Sequence, residues 1–434
     1  MQAHADHGAV QQRQFARLRQ LLSDVVPANG FYARKYADLP PVALDVRTPT
    51  DLTCLPFTTK AELAADQADH PPYGTNLTNP PESYSRLHQT SGTTTGRPLR
   101  WLDTPASWNC LLTCWETNFS LMKLAREDRV FFPFSFGPFL GFWTAFEAAS
   151  RVGMLTLPGG GMPTTARLRF LLDHEATVVC ATPTYAQHLA EVAADEGIDL
   201  TSSSVRAIVV AGEPGGSVPG TRERIETAWC ARVFDHYGMT EVGPVATECA
   251  ENPDGMHVLE EDYIAEVVDP ATGQPVAPGT DGELVVTNLG RTGSPLIRYR
   301  TGDIVRVDTE PCPCGRIWTR LAGGVRGRTD DMIHVRGNNV YPTAIEAVVR
   351  RFPEVREFRV IIDQTGPLSD LRIEVEPADA ADGPRTADAV ARAVRDVLLF
   401  RAAVTAVPPG TLPRFEMKAR RVVRTPGERG TSVP

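Results

Sequence analysis

Short apolar runs alternate with amphipathic segments as far as about Gly255. VVCATPTY and VRAIVVAGEP have the continuous apolar stretch of a buried strand that ends at a turn, whereas AQHLAEVAADEG and TRERIETAWCA have helical periodicity. Strands that alternate with helices of about 10–15 residues indicate parallel α/β layers. The first hundred residues add helices joined by turns, such as QFARLRQLLSDVV. The pattern therefore predicts an α/β fold with a large N-terminal domain of layered sheets.

Beyond Gly255 the apolar positions become typical of strands separated by turn signals. This pattern favours a mainly antiparallel, β-rich subdomain over about 255–327. The order strand, helix, strand, strand, helix and a tail then predicts a small α+β C-terminal domain. Because Gly, Arg and Asp cluster from Gly327 to Asp330, we predict the domains 1–327 and 328–434.

The charge balance limits the classes of partner. The 434 residues carry 44 Lys and Arg against 53 Asp and Glu, which gives a net charge of -9. This balance argues against non-specific binding to nucleic acid or an anionic membrane, because the mean field repels phosphate, but it allows a local pocket for one nucleotide. No apolar run reaches the ~18 residues of a membrane span, and the first residues lack the apolar core of a signal peptide. We expect a cytoplasmic protein.

Lysine and cysteine usage is also informative. Only four residues are lysines, so a lysine inside a motif carries weight even though GC-rich codon usage explains the excess of arginine. The eight cysteines are not expected to form a disulfide framework in a reducing compartment. Five of them are predicted to be buried small hydrophobes: Cys54, Cys110, Cys114, Cys180 and Cys230.

Five stretches carry groups suited to a nucleotide. TSGTTTG offers backbone N–H groups and hydroxyls to phosphate oxygens, although alone it reads more simply as a solvated loop. YGMTEVG places an aromatic ring, which can stack on a purine, beside a Thr–Glu pair that can contact phosphate and hold Mg²⁺. YRTGD ends in a turn carboxylate suited to two ribose hydroxyls. GRTDDMIHVRGNNVYP adds an arginine and paired carboxylates, and LPRFEMKARRVV places a lone lysine in a polar tail.

In this order and spacing, the five stretches resemble the adenylate-forming superfamily of acyl- and aryl-CoA ligases. RYRTGD, PCPCGR, GRTDDM, RGNNVYP and LPRFEMKA are similar to phrases of its phenylacetate-CoA ligase branch, and the resemblance extends from Thr90 to Val423. It implies that ATP and a carboxylic acid form an acyl-adenylate and pyrophosphate, after which a thiol captures the acyl group.

The resemblance implies a nucleotide site. Tyr237 lies against the adenine, Thr240 and Glu241 serve the α-phosphate and Mg²⁺, and Asp303 binds the ribose with the help of Arg328. The other nucleotide-binding positions that it implies are Ser91, Gly92, Thr93, Thr94, Thr95, Gly96, Gly212, Glu213, Pro214, Gly238 and Met239. The loop SGTTTGRP has one threonine more than the family's usual SGTTGxP and has Arg97 as its basic residue, which leaves open which threonine meets which phosphate oxygen.

The lysine of the last stretch has the central role in this resemblance. Lys418 would bridge the carboxylate and the α-phosphate, since an ammonium counters the charge that builds up between two anions. The alternative is an exposed tail residue, and the scarcity of lysine together with the LPRxExK setting favours the catalytic role. The family also rotates a mobile small domain between its two half-reactions, and Asp330 occupies the hinge position.

The densest aromatic patch, FFPFSFGPFLGFWTAFEAA, lies between the first two motifs. Core packing accounts for about half of these rings, whereas the glycine and proline breaks indicate a loop that lines a cavity. In the family this region shapes the acyl pocket, and aromatic walls suit an aryl acid, such as an amino- or hydroxybenzoate, better than an alkyl chain. The predicted pocket residues are Phe136, Gly137, Phe139, Gly141, Ala211 and Gly238.

A second cysteine pattern predicts a metal. Cys249, His257, Cys312 and Cys314 form a Cys₃His set in the β-rich region, which favours a tetrahedral structural Zn²⁺. The alternative is four reduced side chains near a sheet edge. A closed site of this kind would staple the subdomain and leave no open position for substrate.

The sequence therefore predicts an ATP- and Mg²⁺-dependent aryl-CoA ligase with coenzyme A as co-substrate, acting as a monomer or homodimer. Two alternatives stay open: transfer of the same adenylate to a carrier-protein thiol or an amine, and a non-catalytic nucleotide sensor. Glu241, Asp303 and Lys418 argue against the sensor, which has no need of the lysine. Neither nucleic acid nor a membrane is expected as a partner.

Overall fold

The computed structural model describes residues 7–90, 98–335, 338–363, 370–415 and 418–425. By its internal contacts the chain divides into two units. Unit 1 comprises Met1–Ala181, Ser203–Gly212 and Phe234–Val325. Unit 2 comprises Thr182–Ser202, Glu213–Val233 and Arg326–Pro434. Unit 2 therefore combines two segments from the middle of the chain with its C-terminal part.

The α-helices within the described residues are α1 (His7–Ala28), α2 (Gly30–Lys35), α3 (Pro49–Leu52), α4 (Lys60–Asp69), α5 (Pro105–Leu121), α6 (Trp143–Val152), α7 (Thr164–Asp173), α8 (Pro183–Asp195), α9 (Pro219–Trp229), α10 (Pro342–Val349) and α11 (Gly383–Leu398). Several begin where the sequence supplies a capping side chain. Thr59, for example, caps α4 in a reciprocal capping box with Glu62, and Thr182 accepts the Tyr185 N–H at the start of α8.

The strands within the same residues are β1 (Arg86–Gln89), β2 (Arg100–Asp103), β3 (Arg129–Phe132), β4 (Leu155–Pro158), β5 (Val178–Ala181), β6 (Ala207–Ala211), β7 (Arg232–Met239), β8 (Gly243–Glu248), β9 (Gly255–Val258), β10 (Tyr263–Val268), β11 (Asp281–Asn288), β12 (Tyr299–Arg306), β13 (Arg320–Ala322), β14 (Gly327–Arg328), β15 (Ile333–Val335), β16 (Asn338–Val340), β17 (Val355–Asp363), β18 (Asp370–Pro377), β19 (Ala403–Ala406) and β20 (Val422–Thr425).

The large sheet of unit 1 has the strand order β13-β9-β8-β7-β6-β5-β3-β4 in the described residues. On one side β4, β3, β5 and β6 pair in parallel, and on the other β7, β8, β9 and β13 pair antiparallel. β5 and β6 read VVCA and AIVVA and are buried at nearly every position, as expected of parallel strands. β9 and β13 come from the stretch predicted as a β-rich subdomain, yet they extend this sheet.

A smaller sheet of unit 1 pairs β10, β11 and β12 antiparallel. Gly302 in β12 has φ +75°, a left-handed conformation that glycine adopts without strain, and the register shifts opposite it between Glu283 and Val285. Asp303 follows directly. The prediction that Asp303 lies in a turn is wrong, because the strand continues through the glycine to Arg306.

The sheet of unit 2 has β17 and β18 paired antiparallel at its centre, with β20 and β19 added in parallel at the two sides. α11 buries Ala387, Val390 and Val394, which repeat at helical spacing and belong to the hydrophobic core of this unit. The prediction of a tail after α11 is wrong, because its apolar and β-branched residues pair as β19 and β20.

The cysteines divide by their place in the fold. Cys114 and Cys180 are buried and Cys110 is half-buried, whereas Cys54 and Cys230 are exposed. The prediction of burial is therefore wrong for Cys54, in the turn after α3, and for Cys230, which ends α9 in a left-handed conformation. Helix ends of this kind lie at the surface.

Within the described residues, the helices lack the combination of length and apolar character that crossing a membrane requires.

Candidate active site

The end of β7 carries several of the predicted nucleotide residues. Tyr237, Gly238 and Met239 are its last residues, and Thr240 and Glu241 lie in the turn toward β8.

The Tyr237 hydroxyl donates a hydrogen bond to Asp303 Oδ2 at 2.7 Å. Tyr237 is 8% exposed and Asp303 is 5% exposed, so this contact is largely shielded from water. Two residues that the sequence offers in separate motifs are thus in direct contact within unit 1. The pair therefore places an aromatic ring and a carboxylate side by side.

Gly238 is needed where β7 and β8 approach closely. The register shifts between Tyr237 and Gly238, and a Cβ at Gly238 would lie 2.7 Å from the Gly243 carbonyl oxygen. A side chain there would push the two strands apart and displace the turn that carries Thr240 and Glu241. The local shape of this turn therefore depends on the glycine.

A buried ion pair is hydrogen-bonded to the backbone of this turn. Arg291 Nε and Nη2 donate to Asp103 Oδ1 and Oδ2, both at 2.6 Å, and the two side chains are 1% and 0% exposed. Arg291 Nη1 donates to the carbonyl oxygens of Thr240 and Glu241 at 2.7 and 3.0 Å. The sequence did not single out either member of this pair, because their contact spans 188 residues.

The Glu241 carboxylate has a lysine partner that the sequence also missed. Lys60 Nζ lies 3.2 Å from Glu241 Oε1, and the Glu241 side chain is 6% exposed. Lys60 is the first residue of α4. The scarcity of lysine is the signal that could have identified it. The Thr240 hydroxyl accepts a long hydrogen bond, 3.5 Å, from the Leu140 N–H.

Two buried histidines flank these residues. Burial lowers the pKa of His236, the neighbour of Tyr237, to about 3, and its ring lies 4.3 Å from that of Trp115. Burial and the charge of Arg291 lower the pKa of His88 to about 4, and its ring stacks on Trp108 at 5.2 Å. Both rings are therefore neutral near pH 7 and add no positive charge.

Six rings of the aromatic patch pack together: Phe132, Phe134, Phe136, Phe142, Trp143 and Phe146. The Phe136 ring lies 4.5 Å from that of Trp143, whose Nε1 donates to the Gly137 carbonyl at 3.0 Å. The Phe139 ring packs between Gly137 and Gly141, since a Cβ at either glycine would lie 2.9 or 2.8 Å from it. Ala211, at the end of β6, packs against the same hydrophobic core as Phe136.

The predicted zinc ligands converge in unit 1. Cys249 Sγ lies 3.6 Å from Cys312 Sγ, and Cys314 Sγ lies 3.4 Å from His257 Nε2. All four ligand atoms lie within 4.8 Å of one another. A tetrahedral zinc with bonds of about 2.0–2.3 Å sets its ligands about 3.5–3.8 Å apart. The donor set and its spacing therefore fit this ion.

The Ser/Thr loop, Ser91 to Gly96 with Arg97, lies outside the described residues. The residues that flank it are hydrogen-bonded to each other: the Thr90 N–H donates to the Leu99 carbonyl at 2.9 Å, and the Leu99 N–H donates to Thr90 Oγ1 at 3.0 Å. These two bonds continue the antiparallel pairing of β1 with β2 by one residue on each side.

Unit 2 contains the remaining predicted residues except Gly212, which belongs to unit 1. Lys418 is exposed, and the N–H of the next residue, Ala419, donates to Glu213 Oε2 at 2.6 Å. Arg328 Nε donates to Asp330 Oδ1 at 3.0 Å. Gly212, the last residue of its segment of unit 1, has φ +94°, and Pro214 is exposed.

A buried charge cluster lies close to these residues within unit 2. Burial alone would raise the pKa of Glu357, but Arg421 and Arg350 outweigh it and lower that pKa. Burial alone would likewise lower the pKa of Arg421, but Glu357 and Glu346 raise it. The Arg421–Glu357 pair is therefore ionised near neutral pH.

Comparison with known proteins decides the family. The profile described as AMP-binding enzyme matches residues 17–291, and the profile described as AMP-binding enzyme C-terminal domain matches residues 337–425. The chain belongs to the AMP-binding enzyme family. The resemblance inferred from the motifs is thus confirmed.

Relatives of this AMP-binding enzyme align along nearly its whole length. Phenylacetate-coenzyme A ligase of Thermus thermophilus is 32% identical, over 94% of this chain and 94% of that protein. Phenylacetate-coenzyme A ligase of Escherichia coli is 29% identical, over 95% and 94%. A crystal structure of 2-hydroxyisobutyryl-CoA ligase in complex with 2-HIB-AMP is 31% identical, with a TM-score of 0.90 over 95% of this chain and 89% of that one. The predicted α/β fold class is confirmed.

Proposed function

We propose that this AMP-binding enzyme activates an aromatic carboxylic acid with ATP to an aryl-adenylate and pyrophosphate, and then transfers the acyl group to the thiol of coenzyme A. The observation that carries the proposal is the alignment with phenylacetate-coenzyme A ligases over nearly the whole chain, at 32% identity to that of Thermus thermophilus. The contact between Tyr237 and Asp303 supports it, because these residues come from separate nucleotide motifs.

In this proposal most of the nucleotide-binding residues belong to unit 1. Tyr237 lies against the adenine, and Asp303, oriented by the Tyr237 hydroxyl, accepts hydrogen bonds from the ribose with the help of Arg328. Thr240 donates its hydroxyl to the α-phosphate. The Ser/Thr loop from Ser91 to Gly96 is the proposed cradle for the pyrophosphate, with Gly212, Pro214, Gly238 and Met239 bordering the nucleotide.

Glu241 is the proposed ligand of Mg²⁺. Its buried carboxylate offers the hard oxygen that this ion prefers, and Lys60 lies at only one of the two oxygens, Oε1. When bound, the ion would offset negative charge on the phosphates. The protein's own contribution is to hold the carboxylate in place through Lys60 and through the turn that Arg291 fixes.

Lys418 is the proposed catalytic residue of the first half-reaction. Attack of a carboxylate on the α-phosphate brings two negative groups together, and the ammonium of Lys418 would stabilise the charge that develops between them. The side chain of Lys418 is exposed.

The acid is proposed to be aromatic, an amino- or hydroxybenzoate-like or phenylacetate-like compound. Phe136 and Phe139 supply ring faces and edges, and Gly137 and Gly141 leave room for Phe139 to pack between them. Ala211 and Gly238 complete the proposed pocket, where a small residue leaves space for a ring.

A structural zinc is proposed for Cys249, His257, Cys312 and Cys314. Support comes from the ligand spacing, which has two ligand pairs at 3.6 and 3.4 Å. The ion would connect three parts of unit 1. These are the segment after β8, which carries Cys249, the strand β9, which carries His257, and the segment before β13, which carries Cys312 and Cys314. With four protein ligands it leaves no open position, so its contribution is to stability and not to the reaction.

The domains 1–327 and 328–434 and a hinge at Asp330 are part of the same proposal. Asp330→Pro fixes φ near -65° and should restrict a hinge. We expect it to slow thioester formation while leaving adenylate formation close to wild type. Unchanged overall turnover would remove Asp330 from the hinge. We further propose a cytoplasmic enzyme that acts as a monomer or homodimer.

The decisive experiment measures acid-dependent ATP–pyrophosphate exchange with a panel of aromatic and small aliphatic acids, with and without coenzyme A. Exchange together with consumption of coenzyme A is expected for aromatic acids. Exchange without consumption of coenzyme A would favour a carrier-protein thiol or an amine as acceptor. The absence of exchange with every acid would favour a nucleotide sensor.

A further inference from the structure

Both carboxylate oxygens of Glu213 accept hydrogen bonds from backbone N–H groups of unit 2. Oε1 accepts from Thr184 at 2.9 Å, and Oε2 accepts from Ala419 at 2.6 Å. Thr184 lies in the first turn of α8, where N–H groups have no partner within the helix and a negative charge is stabilised. Glu213 therefore joins the start of α8 to the residue that follows Lys418.

Arg421, two residues after Ala419, makes a second set of contacts. Its Nε and Nη2 donate to Glu357 Oε1 and Oε2 at 2.7 and 3.0 Å, and Nη2 also donates to Thr184 Oγ1 at 3.3 Å. The side chains of Arg421 and Glu357 are 10% and 5% exposed, so the pair is shielded from water. Thr184 therefore contacts both residues: its N–H donates to Glu213, and its hydroxyl accepts from Arg421.

The backbone beside Lys418 is thus held on its C-terminal side. The Val360 N–H donates to the Arg421 carbonyl at 2.7 Å, which starts the pairing of β20 with β17. A lysine ammonium sits at the end of a flexible four-carbon stem, so it reaches a defined point more often when its backbone is fixed.

We propose that Glu213 is a positioning residue for Lys418 and not a ligand of the nucleotide. Glu213 and Arg421 together form a clamp that fixes the backbone next to Lys418. The proposal rests on the proposed function, which gives Lys418 a step in which to act. Glu213 was expected at the nucleotide, but both of its oxygens accept protein N–H groups, and a carboxylate repels the phosphates of ATP.

Glu213→Gln tests the clamp with little change of shape. The amide keeps the length of the side chain but replaces one acceptor oxygen by an NH₂ group, which cannot accept an N–H. We expect kcat for acid-dependent adenylate formation to fall roughly tenfold or more, because a charge-assisted hydrogen bond is lost. The KM for ATP should change less than about threefold, and thioester formation from supplied acyl-adenylate should be unchanged.

The matched control is Glu374→Gln. Glu374 Oε2 accepts from Arg359 Nη2 at 2.5 Å and from Arg359 Nε at 2.8 Å on the same sheet of unit 2. Within the described residues, Glu374 has no hydrogen bond or ion pair with Glu213 or Arg421. The control should leave both half-reactions at the wild-type rate.

A double-mutant cycle asks whether Glu213 acts through Lys418. In single-turnover adenylate formation, Glu213→Gln should have no further effect in the Lys418→Ala background, since the group it positions is gone. Full additivity of the two losses would overturn the inference. So would a raised KM for ATP with unchanged kcat, which would make Glu213 a nucleotide ligand, or equal losses in both half-reactions.

Arg421→Lys tests the clamp if thermal melting shows that Glu213→Gln folds poorly. It keeps the positive charge and loses the fork, so adenylate formation should fall while transfer does not. Wild-type rates in Arg421→Lys would overturn the clamp. An active wild-type enzyme with an unaffected Glu213→Gln would overturn this inference alone, whereas a wild-type protein without exchange would overturn the proposed function and this role with it.

Discussion

Two segments of this chain, each with proposed roles in the same reaction, are held by buried arginines in different ways. In unit 1, Arg291 pairs with Asp103 and donates directly to the carbonyls of the turn that carries Thr240 and Glu241. In unit 2, Arg421 pairs with Glu357 and contacts the segment of Lys418 only through the backbone it belongs to.

The difference lies in how completely each arginine is enclosed. The side chains of Arg291 and Asp103 are 1% and 0% exposed, so separating them would leave two charges without water or partner. Arg421 is 10% exposed and contacts two carboxylates, Glu357 and Glu346, and the Thr184 hydroxyl. The first arrangement suits a turn that keeps one shape, and the second suits a segment whose position depends on several weaker ties.

Lys418→Ala should produce the largest effect, because it removes the proposed charge and leaves both arginines in place. We expect adenylate formation to fall roughly a thousandfold, the upper range for loss of one electrostatic group at a reacting centre. Thioester formation from supplied acyl-adenylate should be nearly unchanged. Single-turnover measurement of each half-reaction tests this, with Lys123→Ala as the control. Equal losses in both steps would contradict the role.

Asp103→Asn should break the enclosed pair of unit 1. The free energy of unfolding should fall by about 3–5 kcal/mol, because Arg291 keeps its charge without its buried partner. Urea denaturation measures this fall. For Arg421→Lys we expect a much smaller fall in the free energy of unfolding, because that variant keeps its positive charge. An equal fall in the two variants would contradict the difference between the two arginines.

The double variant Cys312→Ser with Cys314→Ser extends the comparison to the proposed zinc site, which would stabilise unit 1 through a metal instead of an ion pair. We expect about one zinc per wild-type chain by elemental analysis and none in the variant, because two of four ligands are removed. The thermal midpoint should fall with the metal. Wild-type protein prepared without chelator that contains no zinc would end this prediction.

Tyr237→Phe should have the smallest effect. It removes the hydrogen bond to Asp303 but keeps the ring, so the KM for ATP should rise roughly tenfold, the equivalent of one hydrogen bond to a charged group. The unfolding free energy should change much less than in Asp103→Asn. Steady-state kinetics with ATP varied provides the test, and an unchanged KM would separate Tyr237 from nucleotide binding.

Local pattern predicted the parts of this molecule that depend on neighbours in sequence. β5, β6, α8 and α9 follow from apolar runs and helical periodicity. The sequence motifs identified Tyr237 and Asp303 as candidate site residues, and the structure shows them in contact.

Contacts between residues far apart in the sequence could not be predicted from the local sequence pattern. Lys60 and Arg291 have no motif of their own, and each matters because of a partner far along the chain. Asp303 was misplaced in a turn, because a glycine in a strand gives the same local signal as a turn. Glu213 was recognised by its motif, but its partner Ala419 is 206 residues away.

The scarcity of lysine has a practical consequence. Of the four lysines, Lys123 and Lys418 are exposed, whereas Lys35 and Lys60 are half-buried against Glu62 and Glu241. A mild amine-acylating reagent should therefore modify chiefly two side chains, and peptide mass spectrometry can follow them separately. Lys123 provides the internal standard, and any ligand that shields Lys418 becomes visible as a change in the ratio of the two labelled peptides.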